Sequence, residues 1–98
     1  MKKNIIKLDF GKTLTKIAGF RYGKVIYDKQ ASKLVCNEGG NIIEFPEQID
    51  FVAPSFIQGF IAELLREVGV DNILEHIRFE SPHPEVVKRI YTDWRMAM

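Results

Sequence analysis

Apolar residues fall at 56, 57, 60, 61, 64, 65 and 68, the period of a helix with one buried stripe. Gly69 follows as a natural stop. At the front, Pro54 biases Ala53 towards extended backbone. Ser55 then reads as the N-cap, and Gln58 three residues on completes a capping box. Phe51 and Val52 close an extended segment just before this turn. The strongest pattern in the chain therefore places one hydroxyl at the positive end of a long helix, directly after a strand.

Shorter patterns surround it. Ile5, Ile6 and Leu8 predict a first strand over 4–8, ended by Asp9. Phe10 to Thr13 read as a turn into a short extended hairpin arm over 13–17. Ala18, Tyr22, Val25, Ile26 and Lys29 align on one face of a helix over 18–32. Gly19 and Gly23 weaken that helix by about 1 kcal/mol each, or allow close approach to the sheet. The glycine-rich 37–41 is the clearest loop. The apolar run 42–45, bounded by that loop and Pro46, predicts a buried central strand, with 47–54 as its link to the Ser55 helix. Asp71 can cap a short turn holding Ile73 and Leu74. Residues 76–80 alternate polar and apolar as a half-buried strand. Pro84 and Glu85 suit the opening of a terminal helix over 84–96, striped by Val87, Ile90, Tyr91 and Trp94.

Strands alternating with striped helices predict an α/β fold. The expected architecture is one domain over 1–98, with a four-stranded, mainly parallel or mixed sheet and three main helices lying mostly on one face. The expected core is Phe45, Phe56, Phe60, Ile61, Leu64, Leu65, Ile77 and Phe79.

The 98 residues are 46% hydrophobic and 28% charged, an ordinary globular balance. No apolar run approaches the roughly 18 residues that span a bilayer. Met1 to Lys7 lack the apolar core of a signal peptide. The single cysteine, Cys36, has no internal disulfide partner; it reads as a small buried hydrophobe or a loop thiol. These features point to the cytoplasm, with no membrane association.

The net charge of +1 hides an asymmetry. Residues 1–40 carry nine Lys/Arg against three acids, and residues 41–98 carry five against ten. The basic half is compatible with nucleic acid or an acidic partner. However, its lysines are scattered, without the interleaved aromatics of single-strand binders, so a solvated surface also explains them.

Candidate chemistry is sparse. Gly11-Lys12-Thr13 resembles the tail of a phosphate loop, but the glycine needed five residues earlier is Ile6. The glycines at 19 and 23 lack dinucleotide spacing. His76 and His83 have no metal-spaced partners, and His83 reads as an exposed loop residue. Ser55 has no assignable base and lies in no nucleophile motif. No cofactor, metal or catalytic residue is expected, so the chain reads as a non-enzyme.

Several segments together resemble the bacterial STAS-like family of unknown function, distantly similar to anti-sigma-factor antagonist (STAS) domains. They are 42–45, Pro54-Ser55-Phe56, Gly59-Phe60, Leu64-Leu65, Phe10-Gly11, Ala18-Gly19-Phe20-Arg21 and Ile77-Arg78-Phe79. The resemblance implies a regulatory, protein-interaction module. Its implied phospho-acceptor is Ser55, and its implied partner surface is Ser55 with Pro54, Phe56 and Gln58. It also implies a protein partner of the histidine-kinase-type ATP-binding class. The chain departs from the antagonist pattern, an Asp-Ser pair followed closely by glycine, at Pro54 and Phe56. Two rivals remain at this level: a nucleic-acid-associated protein using the basic half, and a small-molecule binder with its pocket at the carboxyl ends of the strands. Oligomeric state is open.

Overall fold

The computed structural model describes residues 3–97, with side chains as far as Thr92. Its β-branched runs become three strands: β1 (Asn4–Lys7), β3 (Asn41–Glu44) and β5 (Ile77–Glu80). They form a parallel sheet in the order β1-β3-β5. Register sets Ile6, Ile43 and Phe79 in one row across it. That row is at most 2% exposed and faces the helices. The alternate row, Ile5, Ile42 and Arg78, lies on the other face. There Ile5 is half exposed, Arg78 is exposed, and Ile42 is shielded between them. The alternation follows from the two-residue period of a strand with one buried face.

The four-stranded sheet is corrected. Two further strands, β2 (Lys16–Ile17) and β4 (Phe51–Val52), pair in parallel as a separate two-stranded sheet. The expected hairpin does not form. After β1 the backbone of Asp9 bonds the Gln30 side chain at both its N–H and its C=O, each at 2.7 Å. A turn closed by Leu14 N–H to the Gly11 carbonyl then carries the chain across to β4. The link over 47–54 thus contains a strand too short to show a period.

The helices are α1 (Phe20–Ile26), continued by a π turn over Tyr27–Ala31, α2 (Pro54–Val68), the short α3 (Ile73–His76) and α4 (Pro84–Ala97). Strand 41–44 is central, as expected. The face of α1 is corrected: Gly23, Ile26, Tyr27 and Ala31 are buried, whereas Val25 and Lys29 are exposed. The π turn, marked by Ser32 N–H bonding the Tyr27 carbonyl at 2.8 Å, shifts the phase of the stripe. On α4, Val86 and Ile90 are buried while Val87 and Tyr91 are half-buried. Trp94 lies outside the described side chains.

The core is aromatic. Phe45 stacks on Phe79 at 5.9 Å, and Phe60 meets Phe79 edge-on at 5.9 Å. Phe56 lies 6.0 Å from Phe60. Of the expected core only Leu65 is half-buried rather than buried. Asn41, expected in a loop, is instead the first residue of β3 and is 1% exposed. Its amide donates to the carbonyls of Cys36 and His76 at 2.9 and 2.8 Å. Its oxygen accepts from Cys36 N–H at 2.7 Å and from the Asn4 amide at 2.9 Å. A buried side-chain amide is stable here because all of these bonds are made.

Candidate functional site

Each strand of the small sheet leads directly into a helix: β2 into α1, β4 into α2. The two helices touch backbone to backbone through a pair of glycines. A Cβ on Gly23 would overlap the Phe56 carbonyl oxygen and sit 2.7 Å from the Phe60 nitrogen. A Cβ on Gly59 would overlap the Phe20 carbonyl oxygen and sit 2.7 Å from its carbon. Gly23 therefore does serve close approach, but to α2 and not to the sheet. The contact brings the two helix N-termini together.

Ser55 stands at that junction, and its expected role is corrected. Ala53, extended at φ −73° and ψ 149°, is the N-cap of α2, and no side chain caps the helix. Pro54 opens the helix because its fixed φ and missing N–H suit the first position. The proline that keeps Ala53 extended thus moves the cap one residue earlier than Ser55. No capping box forms with Gln58. Instead the Ser55 hydroxyl oxygen accepts a 2.9 Å hydrogen bond from Gly19 N–H. Gly19 has φ 106°, a conformation suited to glycine. The bond fastens the β2–α1 turn to the start of α2.

The expected partner residues divide. Pro54 and Gln58 are exposed and Ser55 is half-buried, but Phe56 is fully buried. Phe56 is corrected from a contact residue to a core residue: it lies among Phe10, Tyr22, Phe45 and Phe60. The exposed aromatic beside Ser55 is Phe20, 48% exposed, with Lys24 Nζ 5.8 Å from its ring centre. Arg21 and Ala18 are also exposed. Neither α1 nor α2 has an acidic residue in its first turn. The junction is therefore electropositive, with an apolar island of Phe20, Ala18 and Pro54. Among the described residues, Ser55 Oγ bonds no histidine, carboxylate or lysine.

At the opposite end of the same helix pair, the fold assembles residues that the sequence left apart. Tyr27, Ser32, Cys36, Glu63, Glu67 and His76 line one groove of about 210 Å³. Cys36 and His76 meet because Asn41 ties the backbone of both. Their 40-residue separation left no local signal. Tyr27 is 6% exposed. Burial raises its phenol pKa above 10.0, and the charges of Glu63, Glu67 and Asp28 raise it further. Among the described residues no cluster of three His, Cys, Asp or Glu could hold a metal ion. His83 is less free than expected: it is half-buried, with Nε2 2.6 Å from the Glu47 carbonyl.

Comparison with protein-family models, with curated proteins and with solved structures returned no match. The STAS-like resemblance therefore rests on the residues that carry it. No helix among the described residues is long and apolar enough to cross a membrane.

Proposed function

We propose that this chain is a small, non-enzymatic interaction module of STAS-like type, and that its protein partner docks on the joined N-termini of α1 and α2. The observation that carries the reading is the exposed Phe20 beside Ser55 and Pro54, held there by the Gly23–Gly59 contact. An aromatic side chain on a rigid backbone junction, rimmed by Arg21 and Lys24, has the character of an interface anchor. The surrounding positive charge favours an acidic docking segment on the partner. A regulator of the histidine-kinase-type ATP-binding class is the partner that the family resemblance suggests. In this reading Phe20, Pro54 and Gln58 make contact, and Ser55 holds the loop in shape.

Phosphorylation of Ser55 is the natural means of regulation in this scheme. A phosphate on Oγ would replace the acceptor that Gly19 N–H now uses and would add negative charge to a positive surface. The test is affinity capture from the host followed by binding of the recovered protein. Phe20→Asp should abolish binding and Ser55→Asp should weaken it, with melting temperatures close to wild type. Equal recovery by wild type and Phe20→Asp would refute the docking face.

A further inference from the structure

We propose that the groove between the π turn and the C-terminal half of α2 binds the ammonium group of a small alkylamine. This site lies at the other end of the helix pair from the docking face and is independent of it.

Four observations carry the proposal. First, the groove is a defined hollow of about 210 Å³, room for an alkyl chain of a few carbons. Second, its carboxylates, Glu63 and Glu67, lie one helical turn apart on α2, and neither forms an ion pair among the described residues. Like charges at this spacing repel, so a cation between them relieves a cost the protein bears when empty. Lys24 and Arg66 line an adjoining hollow with Glu63, and both stay beyond ion-pair distance of it. Third, Tyr27 is more than nine-tenths buried and lines the groove, yet its hydroxyl makes no hydrogen bond among the described residues. An ammonium has three N–H donors and no acceptor; two carboxylates and a phenol oxygen supply three acceptors. Fourth, Tyr27 opens a π turn. Such turns are rare and are found frequently at functional sites. His76 also lines the groove, and its Nδ1 is buried without a partner.

An ammonium could come from a free diamine or from a lysine side chain. The test titrates the full chain with putrescine and, separately, with Nα-acetyl-lysine N-methylamide, following backbone amide shifts. Saturable shifts at Tyr27, Ser32, Glu63 and Glu67 are expected. Affinity should fall about tenfold in Glu63→Gln and in Glu67→Gln, since each removes one charge-assisted bond. Both substitutions preserve volume at exposed helical positions, so the fold persists and the same spectra verify it. Tighter binding of putrescine would assign the groove to a free diamine, and tighter binding of the lysine analogue to a side chain. Absence of saturable shifts with either probe, or shifts unchanged in both glutamine variants, would overturn the proposal.

Discussion

At one end of the α1–α2 pair both helices begin, with Phe20 exposed, Arg21 and Lys24 near it, and no acid in either first turn. Towards the other end Tyr27 sinks into a groove edged by Glu63 and Glu67. Stable helices usually place acids at the start and bases at the finish, against the macrodipole. Here Arg21 at the start reinforces the dipole, whereas Lys24 and Arg66 oppose it in the last turns of α1 and α2. A helix pair that forgoes the favourable arrangement at its start while keeping it at its finish marks the start as a surface kept for something other than stability.

The comparison depends on the glycine contact, so breaking that contact has the largest expected effect. Gly59→Ala gains about 1 kcal/mol of helix propensity, but its Cβ would overlap the Phe20 carbonyl. Backbone atoms cannot rotate away, so the net cost should reach about 3 kcal/mol or more. Denaturant unfolding would measure it, and a stabilised variant would show that the helices do not touch there. Asn41→Ala should follow at about 3 kcal/mol, because two carbonyls and an N–H lose buried partners. Its effect should appear first at the groove end, as faster amide exchange at Cys36 and His76 with slow exchange retained at Gly19.

Ser55→Ala should cost about 1 kcal/mol and loosen only the docking end. Exchange at the Gly19 amide would speed up while Tyr27 stays protected. Loss of protection at both ends would show the pair to be one cooperative unit. The smallest effect belongs to Tyr27. Its folded-state pKa is raised above 10.0, so the folded protein holds its proton after the unfolded chain has released it. Stability is therefore fully present below pH 10 and declines as pH rises further. In Tyr27→Phe this decline should be shallower, with stability at neutral pH changed by about 0.5 kcal/mol or less. Parallel pH–stability curves for the two proteins would separate Tyr27 from the charges around it.

The pattern of the sequence revealed α2, α4 and the central strand, because each has enough residues to show its period. It read β4 only as the end of an extended segment and placed β2 in a hairpin arm, because two residues cannot display alternation. It misread Pro54, where one residue both restricts its predecessor and starts a helix; the second property decided the cap. It assigned Val25 to a face that instead runs through Gly23, Ile26 and Tyr27, and it carried that face on to Lys29, where the π turn moves the next buried position to Ala31. Ser55, Pro54 and Gln58 were legible as a surface, but Phe20 was not, since an exposed phenylalanine looks like any other in a string of letters. The groove was invisible: Tyr27 and Glu63 converge through the α1–α2 contact, and Cys36 and His76 through the Asn41 amide.

The Gln30 amide that pairs with both backbone groups of Asp9 imitates a neighbouring strand without being one. At the far side of the sheet, the Tyr91 hydroxyl, 3.1 Å from the N–H of Phe79, does the same for β5. Unpaired strand edges are templates on which another molecule can add, and fibres grow from them. Two side chains thus act as stoppers at opposite borders of a three-stranded sheet. Along β1 itself the exposed Lys7 places a charge on the open edge, which deters stacking there.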